Sequence, residues 1–340
     1  MRAGRDKEVS VILLIGPGAV GTILATHLVQ AGREAVTLYV RERNLSHMQS
    51  LTQLRMDYSD ATRLPMIVPR PPLVTTFDLA GVDYVFLCVK FPDLDALLDQ
   101  LPPIPPQCTL VSTLNGVAAL RRIRERLPQA KVVPMTIMYN GQLPEPLHAT
   151  LTTRAEVIIG SRDQRLLSCF EGSGMKVSAA RGDTAAWGKL LINLANAIGA
   201  LTHSTFRDML TQTDLRKIFV ATMDEAVTLL RQAGIRYQSP APLPHSAYRQ
   251  LLLRGGPVPW WFAKMKNGLE DGAYPSMVSD IEAGRTTEVA QLNGEIVRLA
   301  ESLGTQAPVN AKLAALVAAM HGKLPPPYLT PGELRRQLPL

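Results

Sequence analysis

The 340-residue sequence predicts an α/β domain built on a doubly wound sheet, followed by an all-α domain. Three observations carry that prediction. Up to about Gly160, short β-branched and aliphatic runs alternate with helical stretches, the pattern of parallel strands buried on both faces. Beyond it, helical periodicity takes over almost completely. The length also exceeds the roughly 250 residues at which a single core stops growing, so two cores are expected.

The elements follow in order. Val9 to Ile15 is a continuous apolar run ending at glycine, which reads as a buried strand. Ala19 to Ala31 supplies a helix and Ala35 to Val40 a second strand, so the chain opens with a βαβ unit. Further strands are expected at Tyr84 to Val89, Leu110 to Thr113, Val132 to Met138 and Met175 to Ala179, with helices at Leu94 to Leu101 and Val117 to Leu127. The domain boundary is expected between Ala180 and Ala186, dividing the chain into residues 1–182, residues 183–325 and a Pro-rich tail, residues 326–340. Helices of the second domain are expected at Leu190 to Leu201, Leu215 to Ala233, Val289 to Leu303 and Asn310 to Met320. Between Gln238 and Tyr274 the chain is rich in Pro, Gly and aromatic residues, Trp260 and Trp261 among them, and reads as a long irregular insertion.

Composition narrows the function classes. A formal charge of +7 favours anionic ligands, but the basic residues are scattered and no aromatic-rich basic stripe is present, which argues against nucleic acid. The three cysteines, Cys88, Cys108 and Cys169, are widely spaced in apolar or helical surroundings, with neither a disulfide framework nor metal-ligand spacing. The charged first nine residues do not form a secretory signal, and no apolar run approaches the roughly 20 residues needed to span a bilayer. A cytoplasmic protein with no membrane and no metal is expected.

The loop after the first strand carries G-P-G-A-V-G, with Gly16, Gly18 and Gly21 opening the first helix. The first glycine permits a tight turn, the second lets the backbone approach a pyrophosphate, and the third lets helix and strand pack closely, which is the dinucleotide fingerprint of a Rossmann-type domain. Gly16, Gly18, Ala19, Val20 and Gly21 are therefore candidate cofactor contacts, because a helix N-terminus offers free N–H groups to phosphate. At the end of the second strand an acidic residue would hold the ribose 2′-hydroxyl of NAD. This chain has Arg41 there, with Arg43 two residues on, so NADPH is the expected cofactor.

Lys90 ends the third strand and Asn115-Gly116 follows the fourth, at strand ends that border the ligand crevice of an open α/β sheet. In the helical domain, Lys189, Asn193 and Asn196 stand at positions i, i+4 and i+7 of an otherwise apolar helix, which places them in one narrow sector. A lysine beside two carboxamides on a helix that must be buried calls for an anionic or polar partner. A second polar concentration, S-M-V-S-D-I-E-A-G-R-T-T-E from Ser276 to Glu288, sets a hydroxyl and the carboxylates Asp280, Glu282 and Glu288 around Gly284.

Taken together, G-P-G-A-V-G, Arg41, Val89-Lys90, Leu114 to Gly116, K-L-L-I-N from Lys189 to Asn193, the Ser276 to Glu288 segment and Asn293-Gly294 resemble the ketopantoate reductase (2-dehydropantoate 2-reductase) family. The resemblance covers both domains in the family's order. It implies an NADPH-dependent reduction of ketopantoate to pantoate in pantothenate synthesis, with Lys189 as general acid and Glu288 pairing with it and contacting substrate. It further implies that Asn193 and Ser276 hydrogen-bond the substrate, that Asn115 and Lys90 line the junction of nicotinamide and keto acid, and that Asp280 is structural. Monomers and homodimers both occur in the family. One position departs: the family's second helix asparagine falls where this chain has Ala197, and Asn196 supplies the carboxamide instead. Reduction of a different 2-keto acid is therefore the first alternative, and a non-catalytic NADP-binding sensor the second.

Overall fold

The computed structural model describes residues 9–32, 34–239, 243–267 and 272–340. The chain forms two compact units, one of residues 1–115 and 119–185, the other of residues 116–118 and 186–340. The charged N-terminal residues before Val9 lie outside the described residues.

The first unit runs β1 (Val11–Ile15), α1 (Ala19–Ala31), β2 (Ala35–Tyr39), α2 (Glu42–Gln49), β3 (Gln53–Tyr58), β4 (Met66–Pro69), β5 (Leu73–Val74), β6 (Tyr84–Leu87), α3 (Leu94–Leu98), β7 (Thr109–Ser112), α4 (Ala118–Arg126), β8 (Lys131–Ile137), β9 (Gly141–Glu145), β10 (His148–Leu151), β11 (Glu156–Ile159), α5 (Gln164–Ser168) and β12 (Lys176–Ala179). Eight strands form the main sheet in the order β12-β11-β8-β7-β6-β1-β2-β5. The six from β8 to β5 are parallel, and β11 joins β8 antiparallel. The chain leaves β1 for β2 and β5 on one side and returns to β6 on the other. The turn-ends of β1 and β6 therefore meet at the point where strand order reverses, which is where open α/β sheets bind ligands.

Alternation along β1 explains why the strand is apolar throughout. Ile12 and Leu14 pack with α1 and the residues below it, whereas Leu13 and Ile15 pack into a second cluster with Leu94, Leu97 and Ile123. Both faces are covered, so no polar phase survives. The helix α1 shows the same logic in a second form: every residue from Gly21 to Leu28 is buried. Its outer side is covered by a four-stranded sheet, β4-β3-β10-β9, that the sequence reading did not foresee. Close approach of that sheet depends on Gly141, where a Cβ would lie 2.4 Å from Ile23 Cδ1.

The second unit is helical, comprising α6 (Thr184–Asn193, with its first two residues in the other unit), α7 (Ala195–Thr202), α8 (Phe206–Thr211), α9 (Thr213–Gln232), α10 (His245–Arg254), α11 (Val258–Asn267), α12 (Ser276–Glu282), α13 (Asn293–Ser302), α14 (Pro308–Ala318) and α15 (Pro331–Gln337). The 20-residue α9 is the hub, packing against α7, α8, α10, α13, α14 and α15.

The structure overturns two expectations and gives form to a third segment. The supposed irregular insertion folds into α10 and α11, with residues 240–242 and 268–271 outside the described set. Its Pro and Gly residues at 255–257 only turn the chain between helices, while α10 is fastened to α9 by His245 and Arg249, each 2.7 Å from the Asp224 carboxylate. The Pro-rich tail is likewise structured: α15 opens with a Thr330–Glu333 capping box, buries Leu334, and pairs Arg335 with Asp214 of α9 at 2.8 Å. The run from Val289 to Leu303 is not one helix, because Glu288–Gln291 forms a separate 3-10 turn before α13. No helix among the described residues is long and apolar enough to cross a membrane.

Candidate functional site

In the first unit, the candidate cofactor contacts converge on the C-terminal edge of the sheet. Gly16 sits at φ +89°, a conformation that favours glycine, and a Cβ there would lie 3.1 Å from the Cys88 backbone at the end of β6. Gly21 is packed still harder, its Cβ position being 2.3 Å from the Gly16 carbonyl oxygen, so a side chain would force α1 away from β1. Gly18 differs from both. It is the N-cap of α1, nothing lies within 4 Å of its Cβ position, it makes no side-chain cap, and no acidic residue stands in the first turn. The positive end of this 13-residue helix is therefore met by no side-chain cap and no acidic residue. The donor set fits a pyrophosphate.

Arg41 occupies the N-cap position of α2, just beyond β2, without a capping hydrogen bond from its side chain. Its guanidinium lies 2.5 Å from the Asp93 carboxylate, in the 3-10 turn after β6, with both side chains nearly half exposed. Arg43 and Lys90 are exposed, and Asn115 is partly buried just ahead of α4. Asp93 escaped the sequence reading, since its partner is 52 residues away and no local pattern marks it.

In the second unit, α6 and α7 form a nearly continuous helix. Leu194 between them stays right-handed, at φ −57° and ψ −24°, and its N–H still reaches the Leu190 carbonyl at 3.0 Å. The i, i+4, i+7 relation of Lys189, Asn193 and Asn196 thus survives the break. Lys189 and Asn193 are partly buried and Asn196 is only 6% exposed, so the polar stripe does not face solvent. Two glycines let other segments cross this helix: a Cβ on Gly188 would lie 2.2 Å from the Gln238 carbonyl, and one on Gly199 would lie 2.7 Å from Pro275. Pro275 is the N-cap of α12, so Gly199 fixes how closely Ser276 approaches α7.

Burial lowers the Lys189 ammonium from its usual range to about 8, and the Glu288 carboxylate opposes that shift. The amine is therefore poised to give up a proton near neutral pH, as a general acid must. The two other carboxylates of the Ser276 to Glu288 segment have structural partners. Asp280 pairs with Arg285 at 2.8 Å, and Glu282 with His203 at 2.8 Å. Ser276 is exposed at the first turn of α12, and Glu288 is partly buried at the head of its 3-10 turn. Among the described residues no group of three His, Cys, Asp or Glu side chains is set to hold a metal.

Known proteins match both units. The model for "Ketopantoate reductase PanE/ApbA" matches residues 12–164, and that for its C-terminal part matches residues 183–321. A 2-dehydropantoate 2-reductase of Mycobacterium tuberculosis (strain ATCC 25618 / H37Rv) is 27% identical over 313 residues, covering 91% of this chain and 97% of that protein. Among solved structures, a PanE/ApbA family ketopantoate reductase from Ralstonia eutropha JMP134 superposes with a TM-score of 0.73 at 23% identity, covering 92% of this chain and 98% of that one. A D-mandelate dehydrogenase solved with NADH and anilino(oxo)acetate superposes with a TM-score of 0.72 at 18% identity, with the same coverage of 92% and 98%. These two likenesses are of fold.

Proposed function

The chain belongs to the ketopantoate reductase family, and on that premise we propose that it reduces a 2-keto acid with NADPH, the acid being ketopantoate and the product pantoate. The observation that carries the reading is Lys189, a lysine brought to about 8 by burial, under the influence of Glu288 and on one helical face with two carboxamides. The cofactor, when bound, supplies the hydride. Lys189 donates its Nζ proton to the carbonyl oxygen as that oxygen gains negative charge, and the ammonium stabilises the charge before the proton is transferred. Glu288 keeps the lysine protonated enough to act. Asn193, Asn196 and Ser276 of the second unit hold the hydroxyl and carboxylate of the substrate, while Lys90 and Asn115 of the first unit serve the nicotinamide end of the cofactor.

In the first unit the N–H groups of Ala19, Val20 and Gly21 receive the pyrophosphate at the N-terminus of α1. Arg41 supports the choice of NADPH, because its guanidinium stands at the end of β2, where the ribose 2′-phosphate would be met.

A second reading keeps the chemistry and changes the acid. It is favoured by the carboxamide at Asn196 where the family places it one position later, and by the likeness to a D-mandelate dehydrogenase. Steady-state rates with ketopantoate and a panel of branched and aromatic 2-keto acids, each with NADPH and NADH, separate the two. Ketopantoate is expected to give the highest kcat/KM, with NADPH preferred. A bulkier acid ranking well above it would overturn the substrate assignment, and cofactor binding without turnover of any acid would favour a sensor.

A further inference from the structure

The segment that carries Glu288 is held at one end by His321, just after helix α14, and at the other by Asn310 in that helix. At its start, the Thr287 N–H donates to His321 Nε2 at 3.3 Å, and the Thr287 hydroxyl lies 3.0 Å from the same nitrogen. Thr287 Oγ1 also receives the Val289 N–H at 3.4 Å, so the first turn is tied to His321 just beyond the C-terminal end of α14. At the segment's end, the fully buried Asn293 donates from Nδ2 to Asn310 Oδ1 at 3.0 Å. Asn310 donates in turn to the Glu225 carboxylate at 2.7 Å and the Thr222 carbonyl at 3.2 Å, both on α9. Glu225 also receives the N–H groups of Val309 and Asn310, at 3.0 and 2.9 Å, capping the start of α14.

This polar network is a poor choice for stability alone. Asn293 and Asn310 have no exposure, and Asn293 Oδ1 is buried without a hydrogen-bond partner, a state that costs about 1–3 kcal/mol. Apolar residues of similar volume would fill the same space without that cost. What the network supplies is directional: hydrogen bonds set the position of the backbone at 287 and 293 in a way that apolar contact does not. Within the turn between them, the Gln291 carbonyl lies close to the backbone of Gly116, where a Cβ would be only 3.0 Å away.

We propose that His321 and Asn310 are positioning residues for the reduction, holding Thr287 and Asn293 so that the Glu288 carboxylate stays directed at Lys189. The inference rests on the reading of Lys189 as proton donor. Its consequence is specific, because Glu288 is what opposes the burial effect on Lys189; freeing the turn lets the ammonium pKa fall further.

The test follows Lys189 directly, by NMR titration of protein labelled with ¹³C at lysine Cε, the signal being assigned with Lys189→Arg. This readout needs neither substrate nor turnover, so it stands even if the substrate assignment fails. In His321→Ala the Lys189 pKa is expected to fall by about one unit, and kcat with the best acid at pH 8 by up to about tenfold, with KM for NADPH little changed. His321→Gln, whose amide oxygen can accept the Thr287 N–H, is expected to recover most of both. A lowered Tm with the Lys189 titration and kcat unchanged would overturn the proposal. Should His321→Ala fail to fold, Thr287→Val, which keeps the Thr287 N–H contact and removes the two contacts of its hydroxyl, to His321 and to the Val289 N–H, must move the Lys189 titration in the same direction, and no movement there overturns it too.

Discussion

The glycine loop of the first unit and the Lys189–Glu288 pair of the second, in the roles proposed for them, would bring charge to a ligand by opposite means. Around Gly16 to Gly21 the donors are backbone N–H groups that any residue carries, and the sequence specifies only the absence of side chains at three positions. The helix supplies the field, and no charged side chain has to be buried to create it. At Lys189 the charge belongs to a side chain, and burial opposes it strongly enough to bring the amine to about 8. The first arrangement is stable before a ligand arrives, whereas the second carries a cost that the fold offsets elsewhere. Binding can therefore rest on backbone geometry, but proton transfer needs a side chain whose two protonation states lie close in free energy.

Removing each arrangement tests that contrast. The largest effect is expected for Lys189→Ala, which should lower kcat by about 10²–10⁴ while NADPH binding, measured by fluorescence titration, is retained. Loss of cofactor affinity in step with kcat would mean the two regions are not separable in this way. The same lysine sets a pH dependence. As general acid it must be protonated, so activity should decline as pH rises through about 8, and the limb should vanish from the residual rate of Lys189→Ala.

Stability should move the opposite way. Because the folded-state pKa lies below that of the unfolded chain, the folded protein binds fewer protons between about 8 and the ordinary lysine value. Stability rises with pH across that window, and Tm measured at pH 7.5 and pH 9.5 should show a positive contribution that Lys189→Met removes.

Next comes Gly21→Val. With a Cβ position already 2.3 Å from the Gly16 carbonyl, the substitution should destabilise the first unit by about 1–3 kcal/mol or more and abolish NADPH binding. Wild-type affinity in a soluble Gly21→Val protein would refute the assignment of the loop.

A smaller effect is expected at the adenosine end. Arg41→Ala should weaken NADPH by about 10- to 100-fold and NADH little, in line with loss of a charge-assisted phosphate contact. The Asp93 carboxylate, 2.5 Å from Arg41, competes with a phosphate for the guanidinium, so Asp93→Asn should shift preference a few-fold further toward NADPH. Equal changes for both cofactors in either variant would remove the 2′-phosphate argument.

The smallest expected effect lies away from both sites. His27 is buried in α1 with Nδ1 2.7 Å from the Ser173 carbonyl and Nε2 without a partner, and burial lowers its pKa. The folded state thus binds fewer protons than the unfolded chain below the ordinary histidine range, and stability should fall as pH drops from about 6.5. Comparing Tm at pH 7 and pH 5 in wild type and His27→Gln checks it, and identical slopes would exclude His27 as the source.

The two regions also differed in how plainly the sequence announced them. The span of α1 was legible to the residue, because an apolar strand, three spaced glycines and a helix lie within one short stretch and each has a local steric cause. The polar stripe of Lys189, Asn193 and Asn196 was legible as a pattern, since an apolar helix with one polar line must bury it. Its partners were not. Asp93 beside Arg41, and His321 and Asn310 at the ends of the Glu288 segment, are joined to their partners only by folding, and nothing near them in sequence marks them. The four-stranded sheet over α1 escaped for a related reason: β3, β4, β9 and β10 are short and partly polar, and the two hairpins they form, β3-β4 and β9-β10, are joined into one sheet only by the β3–β10 pairing, across about 90 residues of chain. One signal for it was present, since α1 carries no Asp, Glu, Lys or Arg on any face and so offers no charged side to water.

By itself, the sequence determined the doubly wound sheet, the helical second half and the kinds of side chain available for chemistry, because strand burial, glycine spacing and helical periodicity are local consequences of sterics and hydrophobicity. Only the tertiary structure decided which carboxylates are spent on structural pairs, Asp280 and Glu282, and which one, Glu288, acts on the lysine. It also decided where that lysine's proton equilibrium lies. Those outcomes depend on desolvation and on distances between residues far apart in the chain, and neither exists until the chain has folded.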